Sequence, residues 1–182
     1  MKSNITKQYI QLEGGIHMDE KVLQDLMEGF AGESQANRKY LIYAEQAEKE
    51  GYTNVARLFR AAADAETIHA FNEFKAAGKL GNTAANLEDA INGETYENQV
   101  MYPKFAEDAV KANDEKMAKL FNGIGAVEDV HAKLYKEALE AVKSGKDVEG
   151  DYYLCPICGY VDKEIPDKCP ICGASGSKFK KY

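Results

Sequence analysis

Apolar positions recur at steps of three and four in four long stretches, the spacing of helices that each bury one face. Leu23, Leu26, Phe30, Glu33, Asn37, Tyr40, Ala44 and Ala47 share one seam, and Val55, Phe59, Ala62, Glu66 and His69 a second. Leu87, Ile91, Glu94, Glu97 and Met101 form a third, and Leu120, Ile124, Glu128, His131, Tyr135 and Ala138 a fourth. Stop signals fall between them. Gly51 and Gly78 end the first two stretches, Thr83 is placed to cap the third, and Asn113 with Asp114 caps the fourth. The pattern predicts helices over 19–50, 53–77, 84–112 and from that last cap to about 143, an all-α four-helix bundle over 18–146. Residues 1–17 are polar and read as a flexible arm, with His17 on it. Residues 144–150 read as a linker. Residues 151–182 are short and rich in Gly, Pro and Cys, so this small domain needs a metal staple.

The seams carry an anomaly. Each includes carboxylates or imidazoles, and an ionised carboxylate in a core costs several kcal/mol unless it is paired or metal-bound. The anomaly repeats. Shifted by 62 positions, Ala56, Leu58, Phe59, Glu66 and His69 land on Ala118, Leu120, Phe121, Glu128 and His131. Tyr40 lands on Tyr102, and Glu33 falls one short, on Glu94. Each half thus holds one Glu followed by a Glu-x-x-His turn, whose two side chains face one spot. Such a set makes the dinuclear carboxylate site of ferritin-like bundles. Carboxylate with imidazole suits iron or manganese. Glu97, three residues after Glu94, has no counterpart in the first half and reads as a spare ligand. Tyr40 and Tyr102 read as hydroxyl donors to the ligand carboxylates. Glu33 to Tyr40 is one residue shorter than Glu94 to Tyr102, and Pro103 follows. One extra residue in a helix makes a bulge or widened turn, expected here between Glu94 and Pro103.

The net charge of −7 without a basic run argues against nucleic acid and anionic membranes as partners. No apolar stretch approaches the ~20 residues of a membrane span, and the N-terminus lacks the apolar core of a secretory signal, so a cytoplasmic location is expected. All four cysteines lie in two C-terminal knuckles, Cys155-Pro-Ile-Cys158-Gly and Cys169-Pro-Ile-Cys172-Gly. Four thiolates make a tetrahedral site for zinc or iron, with a glycine after each pair letting backbone amides turn toward sulfur. Zinc would be redox-silent; iron would carry one electron.

The chain resembles the rubrerythrin family from about 18 to 182. The resemblance rests on AGESQA around Glu33, AETIH ending at His69, NGETYE with Glu94 and Glu97, MYPKFA after it, VEDVH ending at His131, and the CPICGY and CPICG knuckles. It implies a ferritin-like bundle followed by a rubredoxin-like domain, with a non-haem di-iron centre and a mononuclear iron on Cys155, Cys158, Cys169 and Cys172. It also implies a peroxidase of air-sensitive microbes that reduces hydrogen peroxide with electrons from reduced rubredoxin or an NAD(P)H-dependent reductase. In this family one iron moves between a histidine and the extra glutamate; the matching residues are His69 and Glu97. Two other classes stay open: a ferroxidase or iron-storage protein, and a zinc-ribbon module on a structural bundle.

Assembly follows from distances. His131 precedes the end of its helix by about 18 Å at 1.5 Å per residue, so the cysteine domain is expected to reach a di-iron centre across a homodimer. A ferritin-like bundle also needs its second and third helices parallel. The connection from Gly78 to Ala84 would then cover roughly 28 Å, but six residue steps reach at most about 22 Å. The shortfall predicts a domain swap between those helices.

Overall fold

The computed structural model describes residues 9–11 and 17–182; most of the expected flexible arm lies outside the described residues. Within it, strand β1 (Tyr9–Gln11) pairs antiparallel with β2 (His17–Asp19). Asp19 then caps helix α1 (Glu20–Lys49), its Oδ1 accepting from the Lys21 N–H at 2.9 Å. Gly51, at φ 87°, turns the chain into α2 (Thr53–Ala76). These elements belong to one unit, Met1–Leu80; Gly81–Tyr182 forms the other.

The α1–α2 pair meets along alanines. Ala56, Ala63 and Ala70 are buried on α2 and Ala77 at its C-cap, with Ala44 and Ala47 on α1. Their seven-residue spacing on α2 keeps one edge against α1, and side chains this small let two backbones approach closely. The second unit repeats the device. Helix α5 (Glu115–Lys143) buries Ala118, Gly125, Ala132 and Leu139, each 62 positions on. Ala106 and Ala109, the counterparts of Ala44 and Ala47, are buried on α4 (Tyr102–Lys111). On α1 the seam read from the sequence includes the packing face, at Ala44 and Ala47, but on α2 and α5 the seams lie beside the edge along which each pair packs. Val55 and Leu120, assigned to those seams, are 44% and 49% exposed, because α2 and α5 turn their alanine edges, not their ligand faces, toward their neighbours.

The predicted third helix is three pieces. Helix α3 (Thr83–Tyr96) leads into a π-helical turn over Glu97–Met101, then α4. The Tyr102 N–H donates to the Glu97 carbonyl, five residues back, so the expected extra residue is absorbed as a widened turn. Pro103 follows at the start of α4, where its missing N–H costs least. The cap of α3 is one residue earlier than expected: the Asn82 Oδ1, not Thr83, accepts from the Ala85 N–H at 2.9 Å. Asp114 caps α5 through the Met117 N–H at 3.1 Å. No helix among the described residues is long and apolar enough to cross a membrane.

The C-terminal domain is a three-stranded antiparallel sheet in the order β4-β3-β5, from β3 (Tyr153–Leu154), β4 (Val161–Asp162) and β5 (Lys180–Lys181). It folds back on α5. Lys163 pairs with Glu137, and a Cβ added at Gly159 would lie 3.8 Å from Val127 Cγ1. The tail thus reaches the middle of its own chain's α5, so the length of helix beyond His131 does not by itself require a second chain for that contact. Gly176 opens a 3₁₀ turn, and a Cβ there would lie 2.0 Å from the Pro166 carbonyl oxygen. That neighbour is backbone and cannot swing aside. Gly176→Ala is expected to destabilise this domain by roughly 1–3 kcal/mol, read as faster loss of its metal to a chelator; unchanged release would contradict it.

Candidate metal centre

Glu33 projects from α1, and Glu66 and His69 from one face of α2. One ligand atom of each lies within 4.8 Å of the others. His69 Nδ1 is 2.9 Å from Glu66 Oε2 and 4.0 Å from Glu33 Oε1. Glu94 on α3 with Glu128 and His131 on α5 forms a second triad inside the same limit. There His131 Nδ1 is 2.8 Å from Glu128 Oε2 and 3.7 Å from Glu94 Oε1. Glu97 opens the π turn and stands outside the second triad, but burial and then the charge of Glu94 push its carboxyl above the ordinary range.

Both triads are built alike. Asn37 Nδ2 donates across to the Ala63 carbonyl at 2.7 Å, and Asn98 Nδ2 to the Gly125 carbonyl at 2.9 Å. Each ties the helix of the single Glu to the helix of the Glu-x-x-His turn. About two helical turns along from each triad is an aromatic triple: Tyr40, Tyr43 and Phe59 in one unit, Tyr102, Phe105 and Phe121 in the other. The Tyr43–Phe59 and Phe105–Phe121 ring centroids are 5.5 and 5.6 Å apart, both edge-on. Sequence reading placed Asn37 on a seam but missed Asn98, Tyr43 and Phe105; the offset of 62 pairs Tyr43 with Phe105, and Asn37, like Glu33, falls one short, on Asn98. It also localises the slip. Asn37 to Tyr40 is three residues and Asn98 to Tyr102 four, so the added residue lies inside the π turn. Among the described residues neither the Tyr40 nor the Tyr102 hydroxyl has a hydrogen-bond partner within its unit. The Tyr102 phenol is raised by burial, then by Glu97, Glu128 and Glu94.

The donor sets fit cations. Burial raises the Glu33 carboxyl, followed by its contact with Glu66; burial also raises Glu94, followed by the charge of Glu128. Carboxylates crowded in this way repel unless a proton or a metal lies between them. His131 is more telling. Its Nε2 lies 3.0 Å from the Gly159 carbonyl oxygen. That oxygen can only accept, so Nε2 carries a hydrogen, which leaves Nδ1 as the nitrogen that can offer a lone pair between the two carboxylates. A metal ion in that space reverses the repulsion, and the Gly159 contact fixes the tautomer it needs.

The four cysteines are free thiols whose Sγ atoms all lie within 4.8 Å of one another. Two of the separations are 3.7 Å (Cys155 to Cys172) and 3.5 Å (Cys158 to Cys169). A tetrahedron with metal–sulfur bonds of about 2.3 Å has edges of about 3.8 Å. Gly159 and Gly173, at φ 87° and 74°, turn the Tyr160 and Ala174 amides onto Cys158 and Cys172. Burial opposes the Cys155 thiolate, yet amides of Ile157 and Cys158 and neighbouring thiols outweigh it and bring that thiol to about 7. Burial drives Cys158 far up, and its sulfur neighbours add to this, since packed thiolates without a cation repel.

Fold and site define a carboxylate–histidine di-iron protein with a four-cysteine iron domain. The rubrerythrin family model matches residues 25–139, and the model of the rubrerythrin rubredoxin-like domain matches 153–180. The chain is 37% identical to rubrerythrin-2 of Clostridium acetobutylicum over 86% of its own length and 94% of that relative. It is 35% identical to nigerythrin of Nitratidesulfovibrio vulgaris, over 88% of its length and 86% of the relative. Nigerythrin solved in its fully reduced, all-ferrous state superposes with a TM-score of 0.54 at 34% identity, covering 88% of this chain and 86% of that one. The chain belongs to the rubrerythrin family: a di-iron oxidoreductase with a rubredoxin-like iron site.

Proposed function

We propose that the protein is a cytoplasmic peroxidase of oxidative-stress defence that reduces hydrogen peroxide to water. In this reading Glu33, Glu66, His69, Glu94, Glu97, Glu128 and His131 hold the di-iron centre. Cys155, Cys158, Cys169 and Cys172 hold the iron that receives electrons from reduced rubredoxin or an NAD(P)H-dependent reductase. His131 carries the reading. One ring nitrogen faces Glu94 and Glu128; the other touches the carbonyl of Gly159, the residue after Cys158. A short covalent and hydrogen-bonded path therefore joins thiolate to imidazole. Iron storage has no use for that path, and zinc in the knuckles would leave it idle.

When bound, a di-iron centre supplies two electrons from neighbouring ions, enough for one peroxide, which takes up two protons and leaves as two waters. Glu97 offers an anion suited to the higher charge of the ferric state and His69 a neutral donor suited to the ferrous state. Burial and the charge of Glu94 raise the Glu97 carboxyl above the ordinary range, a cost that binding to a cation would relieve. In this reading Tyr40 and Tyr102 are hydroxyl donors to the ligand carboxylates; the Tyr102 phenol already feels the charges of Glu97, Glu128 and Glu94.

The reading includes a homodimer swapped between α2 and α3, in which the two halves of each centre come from different chains. Each triad alone lacks the ligands for a dinuclear centre, and Leu58, Ile68 and Phe71 on α2 are 69%, 60% and 58% exposed. Apolar surface of this kind marks an interface.

The test is anaerobic purification, metal analysis and visible spectroscopy, then peroxide-dependent oxidation of a reduced donor. Iron in both sites with turnover is expected; zinc in the knuckles without turnover would defeat the proposal. Glu97→Ala should retain fold and most metal, yet slow turnover by about 10–100-fold, the usual cost of disturbing a metal's supporting groups. Unchanged turnover at saturating reductant would remove Glu97 from the mechanism.

A further inference from the structure

One acid near the first triad has no role so far. Glu73 lies two helical turns beyond Glu66 on α2, and Phe59, Glu66 and Glu73 recur every seven residues on one face. Its carboxylate rests against Gly29 on α1, one turn before Glu33. A Cβ at Gly29 would lie 2.4 Å from Glu73 Oε1, 2.8 Å from Cδ and 3.1 Å from Oε2. Any side chain there would evict the group, so Gly29 is the cradle that seats it. Oε2 is buried and has no hydrogen-bond donor among the described residues. A buried carboxylate oxygen without a donor requires a proton, a water or a cation. The charge of Glu73 also reaches Glu33, adding to the burial and the Glu66 contact that raise that carboxyl.

The second unit does not repeat this acid. The position 62 residues on is Tyr135, and the additional carboxylate there is Glu97, on the π turn. Counting Glu73, each half presents three carboxylates and one imidazole: Glu33, Glu66, Glu73 and His69 against Glu94, Glu97, Glu128 and His131. Glu73 lies outside the 4.8 Å cluster of its triad, as Glu97 lies outside the other.

We propose that Glu73 is a further metal-binding carboxylate of the α1–α2 half, a reserve ligand that would join Glu33 in holding the cation. The inference rests on the reading that the triads hold metal. Its consequence is that a metal on this half would have an additional carboxylate of its own and need not depend on Glu97 alone.

The test is binding of Mn²⁺ to full-length protein freed of bundle metal, followed by calorimetry and by electron paramagnetic resonance, without reference to turnover. Glu73→Gln keeps shape and removes charge. It is expected to weaken Mn²⁺ at one bundle position by about 10–100-fold, with the other position and the absorbance of the cysteine-bound iron unchanged. Gly29→Ala keeps the charge but displaces the carboxylate, and is expected to weaken the same position by a smaller factor. Wild-type uptake with both variants superimposing on it would overturn the role of Glu73 and leave the triads intact as a site. A wild-type chain that takes up no Mn²⁺ in the bundle would overturn the metal reading and this inference together.

Discussion

Cys158→Ser is expected to abolish peroxide turnover driven by a reductase, while a prereduced di-iron centre still reacts once with peroxide at nearly the wild-type rate. Cys158 stands at the junction of the two sites. Its sulfur is one of four within 4.8 Å, and the residue after it, Gly159, accepts the hydrogen bond of His131. Serine removes a thiolate and with it a one-electron port, but leaves the backbone carbonyl and both triads in place. Multiple turnover needs electrons to be replaced; a single turnover does not. Stopped-flow oxidation of prereduced protein, set beside steady-state turnover of the same sample, separates the two. Failure of both would mean that the tail also shapes the site, through the packing of Gly159 on Val127 and His131.

Two inactive variants are expected to restore activity to one another when they share a dimer. In a dimer swapped between α2 and α3, each centre takes Glu33, Glu66 and His69 from one chain and Glu94, Glu97, Glu128 and His131 from the other. Glu66→Gln and Glu128→Gln homodimers then carry a damaged centre at every position. A heterodimer of the two gathers both lesions into one centre and leaves the other wild type, so about half the wild-type activity per dimer is expected. If each centre is built from one chain, every centre in the heterodimer has one lesion and activity stays at background. Purification of the heterodimer on two different tags, with iron content measured alongside, gives the answer. Background activity at full heterodimer yield would rule out the swap.

Much of this was open to reading in the chain itself. The offset of 62 residues pairs Glu66 with Glu128 and His69 with His131, and helix periodicity makes each Glu-x-x-His turn converge without further information. Knuckle spacing does the same for the cysteines, because two Cys-x-x-Cys turns present four sulfurs wherever they fold. Even the π turn was foretold, since a repeat that slips by one residue inside a helix must store that residue somewhere. These are local properties, set by rise per residue and by backbone geometry.

Other features belong to tertiary structure. The alanine edges at Ala56, Ala63, Ala70 and Ala77 and at Ala118, Gly125, Ala132 and Leu139 sit in the sequence, but small residues give a weak hydropathy signal. Only close helix approach shows which face is buried. The cap at Asn82 displaced Thr83 because its side chain reaches the Ala85 N–H, a choice between adjacent good caps that sequence leaves open. The return of the cysteine domain onto α5 depends on a linker whose direction no pattern encodes, and it alone places Gly159 against His131. Glu73 makes the same point. In sequence it is one more acid on a helix; it stands out only when Gly29 on another helix is found to make room for it and nothing is found to pair its buried oxygen. Periodicity determines which side chains share a face. Which face meets which depends on contacts between residues far apart in the chain, and these form only when the helices pack.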